Sequence, residues 1–256
     1  MLIVISPAKS LDFATPSNCS SFTLPEMTGQ SEKLVKRLKT LSPKQLSALM
    51  GISDELGELN FKRFQEWHLP FTTDNAKQAI FAFNGDVYQG LQAKTLNNET
   101  LELTQKHLRI LSGLYGVLRP LDLIQPYRLE MGTRLKYQRA NNLYDFWNPL
   151  ITKKINEAVL QSGNDVLINL ASNEYFKSID RKKLKAKLVT PEFRELKNGK
   201  YTMVSFFAKR ARGLMTRFIL ENDISNPSEL EAFDVEGYFF NQRLSKPGSP
   251  VFTREN

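Results

Sequence analysis

Cysteine occurs once in this chain, at Cys19, which excludes an intramolecular disulfide, a cysteine-rich zinc centre and a Cys-x-x-Cys redox pair. Histidine occurs twice, at His68 and His107, and neither stands in a metal-ligand spacing, so no metal site is expected. Apolar runs reach five residues at most, and the one at Met1–Ile5 is far short of the ~20 residues of a membrane helix. It also lacks the basic flank of a signal peptide. Thirteen glycines and twelve prolines are too few for a collagen or a low-complexity chain. Walker A and dinucleotide fingerprints are absent, which points to no cofactor, and no repeat of 20–50 residues is visible. Nor is there a Glu-x-x-His pair of the kind that carboxylate iron stores use.

What is present is a 256-residue chain, 41% hydrophobic and 24% charged, expected to be one cytoplasmic domain over residues 1–256. Its net charge of +8 is unevenly placed. Between Glu174 and Arg217 thirteen basic residues face four acidic ones, so this stretch carries more than the whole excess. A polyanion is the partner such a distribution suits, with nucleic acid ahead of an anionic membrane. No obligate protein partner is implied.

The apolar, largely β-branched run Leu2–Ile5 predicts a buried strand ending at Ser6-Pro7. Residues 12–30 read as loop, and about 30–110 as mainly helical. Ser42-Pro43 is an N-cap followed by an N1 proline. From Leu108 to Leu135 the glycines and prolines are too frequent for a long helix, which predicts an irregular segment. A helix over 151–161 and a strand over 165–170 follow. Segments 188–193 and 201–207 read as β-rich around an Asn198-Gly199 turn. A basic helix over 208–221 and short strands at 237–240 and 251–253 complete a sheet-rich part over about 160–256. The fold class is mixed α/β (α+β), with the first strand joining the later sheet.

Several groups could carry chemistry. Residues 46–56 outline a helix-hairpin-helix: Gly51 and Ile52 at the hairpin could offer backbone N–H groups to a phosphate, with Lys44 and Lys62 adding charge. Asp54 and Glu55 in the next first turn oppose an anion there, and a plain antiparallel helix pair has the same outline. On the helix near 207–220, Phe207, Ala211, Leu214, Met215 and Phe218 share a face, and Lys209 and Arg212 lie opposite with Arg210 alongside. With Lys182, Lys183 and Lys185 they form the expected phosphate-contact set. Ser6-Pro7-Ala8-Lys9 has the spacing of a serine–lysine pair, without the companion motifs that would support covalent catalysis. The polar groups Asp86, Tyr88, Ser112, Tyr115, Arg119, Arg128 and Glu130 stand among apolar residues, as buried ion pairing or a binding cleft would require.

Three longer runs are distinctive: residues 2–13 (LIVISPAKSLDF), 83–91 (FNGDVYQGL) and 108–132 (LRILSGLYGVLRPLDLIQPYRLEMG). With 169–176 (NLASNEYF) and 208–213 (AKRARG), they resemble the YaaA family of bacterial peroxide stress resistance proteins across essentially the whole chain. The resemblance implies a cytosolic protein of the hydrogen peroxide response that limits free iron. It further implies a compact single domain of unusual topology with a basic cleft, a helix-hairpin-helix element and binding to double-stranded or distorted DNA. It names no catalytic residue. The leading expectation is therefore a DNA-binding protein with little or no catalysis. The other is an enzyme acting on a nucleotide or nucleic acid in a cleft around Lys9, Asp86, Arg119 and Arg128.

Overall fold

The computed structural model describes residues 1–17 and 19–255. Its centre is a five-stranded sheet in the spatial order Gly116–Leu118, Leu108–Ser112, Leu2–Ile5, Val166–Leu170, Lys187–Val189. The last four run parallel, and Gly116–Leu118 is an antiparallel edge. Leu2–Ile5 is the innermost strand, with Ile3 beside Leu108 on one side and Ile168 on the other. Every residue of Leu2–Ile5, Leu108–Ser112 and Val166–Leu170 is buried, as strands covered on both faces must be.

Numbered along the chain, the parallel strands have the spatial order 2-1-3-4. The connection through the helix Asn98–His107 runs one way from the first strand, and that through the helix Leu150–Gln161 returns past it. By the right-handed rule for such crossovers, two of opposite sense place their helices on opposite faces of a sheet. This is the doubly wound arrangement, whose direction reverses between the first and third strands.

A smaller four-stranded sheet, ordered Lys200–Thr202, Glu192–Lys197, Val251–Arg254, Tyr238–Phe240, packs its aromatic face (Phe193, Tyr238, Phe252) around Phe233. Asn198 and Gly199, at φ 51° and 73°, make the tight turn expected of Asn-Gly. The long helix Ser205–Glu221 joins the two sheets, and Phe218 reaches Phe233.

Several boundaries differ from expectation. Leu108–Ser112, at the head of the segment read as irregular, is a core strand. Its Arg109 is buried because the guanidinium donates to the Gln105, Lys106 and Leu108 carbonyls at 3.0, 3.4 and 2.7 Å, closing the end of the preceding helix. Helix 205–221 begins before Phe207, so the β-rich reading of 201–207 holds only to Thr202. Residues 188–193 divide between the two sheets. Two-residue ladders, Ser10–Leu11 on Phe83–Asn84 and Lys77–Gln78 on Leu123–Ile124, interrupt the helical stretch.

Ser42 caps Pro43–Met50 with a full capping box to Gln45, and Ser53 caps Asp54–Glu66. These two helices form a close antiparallel pair: a Cβ on Gly57 would overlap Ser47 Oγ. Gly51 takes the left-handed conformation, φ 62°, that ends the first helix. Both hairpin amides are already used, since Gly51 N–H and Ile52 N–H donate to the Ser47 carbonyl. The segment expected to be a helix-hairpin-helix is thus a capped antiparallel helix pair whose hairpin donors are turned inward. Among the described residues no helix is long and apolar enough to cross a membrane.

Candidate functional site

A crevice opens where the strand order reverses, because the loops leaving two adjacent parallel strands at their carboxyl ends diverge. Here those strands are Leu2–Ile5 and Val166–Leu170, and the first residues beyond them are Ser6 and Ala171-Ser172. Ser6 Oγ accepts from Ser172 N–H at 2.9 Å and lies 3.3 Å from Ser172 Oγ, so the two loops are tied at the crevice floor. Around them is a cavity of about 450 Å³, lined among others by Lys9, Asp86, Tyr88, Glu130, Glu174 and Arg212.

Each wall has a local cause. The ladder Ser10–Leu11 on Phe83–Asn84 brings the loop of Lys9 against that of Asp86. The short helix Asp86–Leu91 then crosses the long helix with glycine against glycine. A Cβ on Gly213 would fall on the Val87 carbonyl, and one on Gly90 on the Arg210 carbonyl. That close approach sets Asp86 3.9 Å from Lys209 and turns Arg212 into the cavity. Tyr88 donates to the Ser6 carbonyl at 3.1 Å. Burial pushes the Tyr88 and Tyr175 phenols well above their ordinary values, so both stay protonated.

The charged lining is unevenly partnered. Lys9 meets Glu130 at 2.9 Å, and Glu130 also holds Arg128 at 2.9 Å. Arg128 Nε is buried without a hydrogen-bond partner among the described residues. Glu174 uses Oε1 to accept from Gly132 N–H at 2.9 Å. Among the described residues Arg212 has no counter-charge, and desolvation lowers the pKa of its guanidinium.

The structure therefore divides the candidate residues. Ser6, Lys9, Asp86, Tyr88 and Glu130 line one cavity, with Arg128 directly behind Glu130. Ser112 and Tyr115 lie in the core, where Ser112 Oγ is 2.7 Å from Tyr127 Oη and Tyr115 Oη accepts from Trp67 Nε1. Arg119 sits in a separate charged hollow, bonded to Asp122 at 2.9 Å and to Glu26 at 3.4 Å.

The basic set divides too. Lys209 and Arg212 belong to the cavity, whereas Arg210 turns away to a bidentate pair with Glu236. Lys182, Lys183 and Lys185 precede the strand Lys187–Val189, at the amino end of the parallel strands, with Lys183 and Lys185 beside Asn164 and Asp165. A five-residue strand separates that end from the crevice by roughly 15 Å. Lys44 and Lys62 are exposed on the helix pair.

Sequence reading missed Ser172, Glu174 and Tyr175 as lining residues. The signal available was their position, the polar Ser-Asn-Glu directly after an apolar strand run.

The fold and site define a doubly wound α/β protein with a charged crevice at its switch point. The chain belongs to the peroxide stress protein YaaA family, whose model matches residues 1–244. Its place is thus in the response to peroxide stress.

Proposed function

We propose that this peroxide stress protein binds DNA in the cytoplasm, duplex or structurally distorted, mainly through phosphates, and that by covering DNA it limits iron-dependent oxidative damage. The observation that supports this most is Arg212, a part-buried cation with no carboxylate partner among the described residues, facing a cavity flanked by Lys9 and Lys209. Withdrawing a guanidinium from water costs several kcal/mol unless an anion answers it. A phosphate answers it with two oxygens in the matching fork geometry. The net charge of +8 attracts DNA from a distance, and Lys182, Lys183, Lys185, Lys44 and Lys62 add contacts that do not depend on base sequence.

Fluorescence anisotropy with labelled duplex, single-stranded, bubble and junction DNA across a salt series tests this. Arg212→Met should weaken binding about tenfold to a hundredfold, the range for a hydrogen-bonded charge, and reduce the salt slope by about one. Arg210→Met should change it little, because Arg210 is engaged by Glu236. Strand scission by iron(II) and peroxide should be slowed by wild type and less by Arg212→Met. Binding no tighter than that of an unrelated protein of equal charge, and indifferent to Arg212→Met, would overturn the reading.

A second reading, an enzyme acting on a nucleotide or nucleic acid, is favoured by the position of the cavity at the carboxyl ends of parallel strands, where α/β enzymes place their ligands. Covalent change in a bound oligonucleotide or nucleotide, followed by mass spectrometry, separates the two.

A further inference from the structure

The cavity is not a uniformly positive surface. Lys9, Lys209 and Arg212 share it with Asp86, Glu130 and Glu174, so its lining is balanced in formal charge. A run of phosphates laid across it would meet three carboxylates at close range. A single nucleotide unit would not, because its anionic end and its base present different groups.

The two signs are also available to different degrees. Arg212 has no carboxylate partner among the described residues, and Lys209 reaches Asp86 only at 3.9 Å, beyond hydrogen-bond range. Glu130 is engaged by Lys9 and Arg128. Glu174 spends Oε1 on Gly132 N–H and leaves Oε2 without a donor among the described residues. A phosphate therefore has Arg212 and Lys209, and a donor has Glu174 and Asp86. Tyr88 and Tyr175, both buried, also line the cavity. The volume of about 450 Å³ lies in the range of small-molecule sites and is too small for a duplex.

We infer that the cavity is a single-nucleotide pocket, receiving one unpaired nucleotide with its phosphate on Arg212 and Lys209 and the exocyclic amine of its base on Glu174 or Asp86. This rests on the DNA-binding reading and gives it a substrate class. Cytosine, adenine and guanine each carry an amine that a carboxylate can accept from. Thymine carries none, and its ring N–H lies between two carbonyl oxygens that a carboxylate repels. The pocket therefore discriminates against thymine, and bubbles or unpaired ends supply its ligand more readily than closed duplex.

Isothermal titration calorimetry of the full chain with dCMP, dGMP, dAMP, dTMP and inorganic phosphate tests this, alongside bubble-DNA anisotropy on the same samples. The amine-bearing nucleotides should bind roughly tenfold more tightly than dTMP, and phosphate more weakly than any of them. Glu174→Gln keeps an amide oxygen to accept from Gly132 N–H but replaces the free carboxylate oxygen with an NH₂ donor. Where Glu174 takes the amine, this should remove the discrimination while sparing dTMP; where Asp86 takes it, Asp86→Asn should do the same. Both carboxylate variants are therefore measured, and Arg212→Met should weaken all four nucleotides alike. Equal binding of all nucleotides and phosphate would show a phosphate site only and overturn the inference. Bubble DNA binding tightly with no mononucleotide bound would overturn it while the DNA reading stands, and loss of both would end both. Unchanged discrimination in a folded Glu174→Gln and in Asp86→Asn would also overturn it.

Discussion

Replacing Gly213 with alanine tests the helix crossing that shapes the cavity. In an isolated helix the change would favour folding by about 1 kcal/mol. Here the added methyl would fall on the Val87 carbonyl and 2.8 Å from Leu91 N, and both are backbone atoms that no rotamer can move. Gly90 makes the reciprocal approach, its Cβ lying on the Arg210 carbonyl and 2.9 Å from Leu214 N. The helices must slide apart to relieve the overlap. Overpacking of this kind costs typically ~1–3 kcal/mol; two backbone contacts place Gly213→Ala at the upper end, so the net loss after propensity is about 2 kcal/mol. In a chain of this size that lowers Tm by roughly 4–8 °C. In urea it lowers the midpoint with an unchanged slope. Gly29→Ala is the control, since an added Cβ there meets nothing within 4 Å, and it should leave stability unchanged or raise it. The same Gly213→Ala protein should lose DNA affinity, because Lys209 and Arg212 ride on the turn that is displaced. A variant as stable as wild type would refute the close crossing.

Three further outcomes are expected. Ser42→Ala removes one side of the capping box on Pro43–Met50 and should cost ~1 kcal/mol in urea denaturation. The Asp12 carboxyl is held far below the usual carboxylate range by the Thr15 N–H and by Lys94. Its contribution is full above the unfolded pKa and is lost as pH falls through the lower folded value, so Asp12→Asn should flatten the acid limb of a pH–stability curve. Burial lowers the pKa of His107, whose Nδ1 lies 3.0 Å from the Met1 carbonyl oxygen. Above about pH 6.5 the ring is neutral in both states. Below it the unfolded chain binds the proton first, so acidification destabilises the fold, and His107→Asn should show a shallower loss between pH 6.5 and 5 in the same curve.

Much of the fold was legible wherever one short-range cause decides the local structure. Leu2–Ile5 is an unbroken, mainly β-branched apolar run, Ser42-Pro43 is a cap with its N1 proline, and Asn198-Gly199 supplies two residues that tolerate positive φ. Where the cause is distant, reading failed. Leu108–Ser112 was hidden by Arg109, a charge that looks wrong for a core strand until its guanidinium is seen capping the preceding helix. The cavity was half visible. Asp86, Tyr88 and Glu130 stood out as polar groups in apolar company, and Ser6 and Lys9 by their serine–lysine spacing. Their convergence with Ser172 and Glu174 depends on which strand lies beside which, and strand order leaves no trace in local pattern. Helical periodicity likewise put Lys209 and Arg212 on an outward face, because it could not foresee the short helix packed against Gly213.

The innermost strand has a kinetic consequence. Ile3 pairs with Leu108 and with Ile168, partners 105 and 165 residues further along the chain. Neither pairing can form until those segments have been synthesised and brought together, and closing loops of that length precedes any gain from the contacts. On the ribosome, Leu2–Ile5 must therefore remain a short, wholly apolar segment with both edges unpaired until Leu108–Ser112 has emerged, and with one edge still unpaired until Val166–Leu170 follows. In a cell under peroxide stress, this waiting strand is an unpaired apolar edge of the kind that chaperones cover.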